Sequence, residues 1–234
     1  HGRIRICSFH VKSKLYKLQN DYAFLASKSN SNLKARIKEN NALLDSLNYK
    51  QYELNKGLAR VSELERLVLE KEQNLNILKK RLSDALLNFE GNGLTVEQRN
   101  GKVYVSMENK LLFKSGSWRV GPEGIKAINQ LSNVLAENPE INVLIEGHTD
   151  NVPYTGKGTI GNNWDLSTKR ATAIVQLLLK NDQIIPQNLT AAGRGEFLPI
   201  GPNSNEKGKL TNRRIEVILT PQFDIITEIL ENLN

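Results

Sequence analysis

The chain has 234 residues, 39% of them hydrophobic and 6% aromatic, which is lean for one globule and places part of it outside any compact core. Residues 1–92 hold 17 Lys+Arg and 10 Asp+Glu, so the whole net charge of +7 falls there and the remainder is balanced. A single cysteine, Cys7, excludes an internal disulfide, and no apolar run reaches the roughly 18 residues of a membrane span.

The basic half is expected to present a solvated helix surface, with anionic lipid or a polyanionic envelope polymer as sharper alternatives. Its basic residues are not interleaved with aromatics, so no nucleic-acid partner is expected. His1–Ile6 is short and basic and does not read as a signal peptide.

Residues 30–90 contain no proline and one glycine, Gly57. Leu47, Leu54, Val61, Val68, Leu75, Leu82 and Phe89 recur every seven residues, with Leu33 and Asn40 upstream on the same track. The companion track runs Ile37, Leu44, Gln51, Leu58, Glu65, Glu72, Lys79 and Leu86, apolar mainly towards its ends. This spacing predicts a long coiled-coil helix that buries its stripe against a second copy. The polar companions favour one register over slipped ones. An earlier segment with Leu15, Leu18, Tyr22 and Leu25 has a similar pattern, and Ser27–Asn32 reads as a break between the two.

Gly91-Asn92-Gly93 marks the change to a compact domain. Val103–Met107 alternates as a strand does. Pro122 suits the first residue of a helix, whose apolar face uses Ile125, Ile128, Leu131 and Leu135 before Asn138-Pro139 stops it. Ile141–Ile145 is apolar enough to be a central strand. A polar loop follows, then a helix from about Trp164 to Lys180, with Leu166, Ala173, Leu177 and Leu178 inside. Leu189–Ala192 reads as a short strand, Gly193-Arg194-Gly195 as a turn, and Ile215–Leu219 as the last strand. The order predicts an α+β fold, a two-layer sandwich with helices on one face of a mixed sheet. The domain layout is a helical coiled-coil segment at 1–92, a compact domain at 93–221, and a final helix within 222–234.

The chemistry concentrates in EGHTDNVPYTGKGTIGNNWDLSTKRA, Glu146–Ala171. Asp150 lies just past the carboxyl end of the central strand, where ligands gather in helix-covered sheets. Asn163 is positioned to cap the next helix, and Asn163, Leu166 and Arg170 share one helical face. A carboxylate, a planar cation and a helix N-terminus suit a ligand carrying an ammonium and a carboxylate on one carbon. Charge and spacing equally allow Asp150 and Arg170 to form a structural ion pair. His148 is the one histidine in this half, so no ordinary His/Cys metal site assembles there. Ser167 lacks a general base unless His148 reaches it. No cofactor and no enzymatic activity are expected. Of Arg213 and Arg214, charge alone does not say which faces the ligand.

Residues Leu111–Thr220 resemble the OmpA-like domain, also found in flagellar MotB stator proteins. The resemblance lies in LLFKSGS, EGHTDNVPY, NNWDLSTKRA, AAGRGEFLPI and NRRIEVIL, in the family's order and spacing. The NVPY loop with WDLS is closer to the MotB-like branch. The resemblance implies an OmpA-like sandwich that binds peptidoglycan non-covalently through the diaminopimelate of its stem peptide. It makes Asp150 and Arg170 the chief ligands, adds Asn163 and Arg213, and places Thr149, Asn151 and Leu166 on the pocket wall. Many members carry an aspartate where this chain has Lys114, which bears on specificity at the rim. The amino-terminal stretch CSFHVKSKLYKLQND resembles the start of envelope lipoproteins, which implies Cys7 as a lipidation site, although RIRI before it is not a lipobox.

The implied function is a periplasmic tether, a homodimer through the coiled coil, that holds an outer-membrane or membrane-anchored assembly to the wall. The alternative is a MotB-like stator subunit of an ion-driven motor, with an inner-membrane anchor and a membrane helix that this chain lacks.

Overall fold

In a computed structural model, the described residues are 2–114, 116–155 and 160–221, with side chains described from residue 11 onward. The helix expected within 222–234 and the side chain of Cys7 lie outside them. The chain divides into two units, residues 1–65 and 66–234.

Helix α1 runs Gly2–Ala85 without interruption. The break expected at Ser27–Asn32 does not occur. Serine and asparagine are only modestly unfavourable inside a helix, and Ser31 Oγ donates to Lys28 O at 2.8 Å, turning the hydroxyl back on the preceding turn. Within the first unit, Leu33, Leu47, Leu54 and Val61 are exposed, as are Ile37, Leu44 and Leu58 on the companion track.

In the second unit Val68 is still exposed, and beyond it the same heptad track turns inward. Leu75 and Leu82 are buried, and with Leu78 and Leu86 they join the core of the compact domain. The stripe is therefore not one uniform seam. Its carboxyl end is buried within the chain itself, because its leucines meet the apolar face of the sheet.

That sheet has five strands in the order β1-β2-β5-β3-β4. They are β1 (Leu94–Arg99), β2 (Lys102–Glu108), β3 (Ile141–His148), β4 (Leu189–Gly195) and β5 (Arg214–Pro221). Only β3 and β4 pair in parallel, and the other neighbours are antiparallel. Strand β1 and its hairpin are additional to the elements read from the sequence. Its tight turn puts Asn100 at φ 52° and Gly101 at φ 69°, the left-handed pair that closes a two-residue hairpin. Gly193-Arg194-Gly195 is not a turn but the end of β4.

One face of the sheet carries Val103, Val105, Val143, Ile145, Val217 and Leu219, packed against leucines and isoleucines of α1, α3 (Pro122–Ala136) and α4 (Asn163–Leu178). In α4 the inward positions are Leu166, Ala171, Ile174 and Leu178, whereas Ala173 and Leu177 are half-buried. Short helices α2 (Asn109–Leu112) and α5 (Glu206–Asn212) and a 3-10 turn at Pro186–Asn188 complete the described elements. The opposite face carries an ionic network. Glu146 and Glu216 stand directly opposite across β3 and β5, a repulsive placement. Arg194 Nε donates to Glu146 at 2.9 Å and Arg214 Nε donates to Glu216 at 2.9 Å, which offsets the repulsion.

Candidate functional site

Strand β3 ends at His148, and the chain then folds back on β4: Thr149 N donates to Gly195 O at 2.8 Å. Helix α4 passes close over β3 at Gly147, where an added Cβ would stand 2.1 Å from Ser167 O. Thr149 is buried and its Oγ1 donates to Asp150 O at 3.0 Å. Asp150 is buried too, and its Oδ1 accepts from Val152 N at 3.2 Å, an Asx-type turn that aims the second carboxylate oxygen outward.

That second oxygen accepts from Arg213 Nη1 at 2.6 Å. The ion pair considered from the sequence therefore forms with Arg213, not with Arg170. Arg213 sits between α5 and β5, where Asn212 fixes the local backbone. Asn212 Oδ1 accepts from Ile200 N and Gly201 N at 2.8 Å each, and its Nδ2 donates to Gly201 O at 2.9 Å. The adjacent Arg214, the first residue of β5, turns to the opposite face and Glu216, so the two neighbouring arginines go to different carboxylates.

Asn163 is not the cap of α4; Asn162 is, with its side chain accepting from Asp165 N at 3.0 Å. The buried Asn163 amide instead ties the site together. Its Nδ2 donates to Asp150 O at 3.3 Å, Val152 O at 3.1 Å and Glu196 Oε2 at 2.7 Å. Leu166 is buried on the same helical face, and Asn151 is exposed.

Arg170 is only 5% exposed. Its Nε donates to Ser117 O at 3.0 Å, and its guanidinium lies 5.2 Å from the Phe113 ring centre. Among the described residues no partner bonds its terminal nitrogens. Burial, with Arg213 nearby, pulls its pKa down to about 10, while Tyr154 and Asp150 act the other way. It remains charged at neutral pH. Arg170 and Arg213 both line a cavity of about 460 Å³, together with Glu108, Asn109, Lys110, Phe113 and Lys114. Asp150 is not on that wall, and its carboxylate meets the cavity through Arg213. Asn109 has no motif around it. It enters the site only because α2 packs there, its N–H donating to Arg213 O at 2.9 Å.

His148 lies on the other side of β3 and is 1% exposed, with neither ring nitrogen hydrogen-bonded. Burial, then the Arg214 charge, lowers its pKa to about 4, so it is neutral. Glu146, His148 and Glu216 bring one ligand atom each within 4.8 Å of one another. Arg194 and Arg214 already occupy those carboxylates, and their positive charge disfavours a metal ion there. Ser167 is fully buried; its Oγ donates to Trp164 O and accepts from Gly195 N, so it serves to dock α4 on β4.

Residues 112–213 match the OmpA family. Over 118 residues the chain is 33% identical to Motility protein B of Bacillus subtilis, covering 50% of this chain and 45% of that one. Over 116 residues it is 30% identical to YfiB of Escherichia coli, covering 50% of this chain and 69% of the other. It thus spans under half of the motility protein but about two thirds of YfiB. Among solved structures, the cell wall anchor of the T6SS from Pseudomonas aeruginosa superposes with a TM-score of 0.55 at 27% identity, covering 60% of this chain and 97% of that one.

Proposed function

The chain belongs to the OmpA family through residues 112–213, and from that premise we propose that it is an envelope protein that binds peptidoglycan without making or breaking bonds. Its ligand is the free end of a stem-peptide diaminopimelate, a carbon bearing both an ammonium and a carboxylate. The observation that carries this is Arg170, a buried cation at the wall of a cavity whose terminal nitrogens have no hydrogen-bond partner among the described residues. A buried charge is costly unless paired, and a ligand carboxylate gripped by both terminal nitrogens supplies the pair. Asp150 receives the ammonium alongside Arg213, since a carboxylate offers about four lone-pair sites. Asn163 holds the Asp150 loop in place, and Thr149, Leu166 and Asn151 shape its surroundings.

Titration with a soluble muropeptide tests the clamp. Arg170→Ala should weaken binding about ten- to hundredfold, the worth of a charge-assisted hydrogen-bonded contact. Arg170→Lys should fail to restore it, because a point charge cannot reproduce the fork. Equal binding by wild type and Arg170→Ala would reject the site.

The wider role we propose is a periplasmic tether. The exposed heptad stripe of α1 pairs with a second copy, and an anchor, lipid at Cys7 or another, joins the chain to the outer membrane. The likeness to Motility protein B favours one rival, a stator subunit of an ion-driven motor anchored in the inner membrane. Among the described residues no helix is long and apolar enough to cross a membrane, so that role requires a membrane helix encoded ahead of residue 1. The coding sequence upstream decides between the two. Clearing of purified peptidoglycan in a zymogram would overturn both.

A further inference from the structure

The charges around the cavity do not balance for a simple zwitterion. Four cations, Lys110, Lys114, Arg170 and Arg213, stand on its wall with one acid, Glu108. Lys110 Nζ is paired with Glu108 at 2.8 Å and Arg213 with Asp150 at 2.6 Å. Among the described residues, Arg170 and Lys114 have no carboxylate partner. The free end of diaminopimelate brings one carboxylate and one ammonium. It satisfies Arg170, adds one more cation, and leaves Lys114 uncompensated.

A second, independent feature marks the same wall. Asn109 is 8% exposed, and neither its side-chain oxygen nor its nitrogen has a hydrogen-bond partner. Buried amides are almost always bonded, so an orphaned one calls for an explanation. Asn109 itself lines the cavity, and the terminal torsion of asparagine is broad. Its N–H₂ then donates to an anion beside Lys114, and its oxygen accepts a peptide N–H.

We infer that Lys114 and Asn109 form a second subsite, which takes another carboxylate of the same stem peptide and so selects peptides in which that carboxylate is free rather than amidated. The inference rests on the diaminopimelate clamp and specifies what lies next to it. Two carboxylates fit the chemistry: the α-carboxylate of a γ-linked glutamate, and the peptide's terminal carboxylate. Both are removed as charges by amidation, which replaces an acceptor oxygen with a donor that faces an ammonium badly.

The test uses the full chain and three synthetic tetrapeptides of alanine, γ-linked glutamate, diaminopimelate and alanine. One is unmodified, one carries an amide at the glutamate α-carboxylate, and one carries an amide at the carboxyl terminus. One of the two amides should weaken binding about tenfold, the loss expected for a charge-assisted hydrogen bond, and thereby identify which carboxylate is read. Lys114→Gln, an exposed change on the rim, should lower affinity for the unmodified peptide to the same extent and abolish the discrimination. Equal binding of all three peptides by the wild-type chain would overturn the subsite and leave the clamp standing. Discrimination that persists in Lys114→Gln would overturn it as well. Failure of the unmodified peptide to bind at all would remove the clamp, and the subsite with it.

Discussion

At the scale of single residues, the two sides of β3 do different work. On one side Asp150 pairs with Arg213, which lines the proposed ligand cavity, and on the other His148 is a buried neutral imidazole among Glu146, Glu216, Arg194 and Arg214. The folded-state pKa of about 4 lies below the ordinary 6.5, so between those values the unfolded chain binds the proton and the folded chain does not. His148 therefore contributes its full stability above about pH 6.5, and loses it as pH falls towards 4, by a total on the order of 3 kcal/mol. Denaturant midpoints measured from pH 4 to 8 should show this slope in the wild type and a flatter one in His148→Gln. Gly147→Ala should cost about 3 kcal/mol or more in the same measurement, because its Cβ meets backbone rather than a mobile side chain. Spacing put Asp150 just past the end of β3 and Arg170 on one face of α4 with Asn163 and Leu166, and both stand there. It did not show that Asp150 pairs with Arg213, because that contact joins distant segments. Asn109 was not legible either, because its place depends on the packing of α2 against the turn before β5, about a hundred residues away in sequence.

At the scale of elements, α1 shows what periodicity can and cannot convey. Leu54 and Leu82 lie on one heptad track, yet Leu54 is 56% exposed and Leu82 is fully buried. A seven-residue repeat records that one face is apolar. It does not record whether that face is buried by another copy or by the chain's own sheet, and the sequence pattern of the two leucines is the same. Their substitutions should therefore part company. Leu82→Ala should lower the stability of the compact domain by about 2–5 kcal/mol through the cavity it leaves, visible as a lower thermal midpoint. Leu54→Asp should leave that midpoint unchanged and shift the chain towards monomer in sedimentation equilibrium. A monomeric wild type would remove the proposed dimer. The strand missed in the sequence has a like cause. Strand β1 is mostly polar, with Leu94 and Val96 as its only apolar residues, and its pairing with β2 makes it a strand.

At the scale of the whole molecule, every proposed ligand residue except the lipidation candidate falls in the second unit, and the proposed dimer stripe falls mainly in the first. Binding one wall fragment and holding to a wall are thus separable properties. A soluble stem peptide offers one site at a time, so the full chain and a fragment spanning residues 66–221 should bind it with equal affinity. An intact sacculus offers many stem peptides on one surface. A dimer that places a second clamp at high effective concentration gains avidity of about a hundredfold or more without any new contact. Pelleting assays with purified sacculi should then retain the full chain at concentrations where the fragment is released, and Leu54→Asp should behave as the fragment does. Sacculus retention that is the same for all three would mean that the helix serves as a spacer alone and that each clamp acts singly.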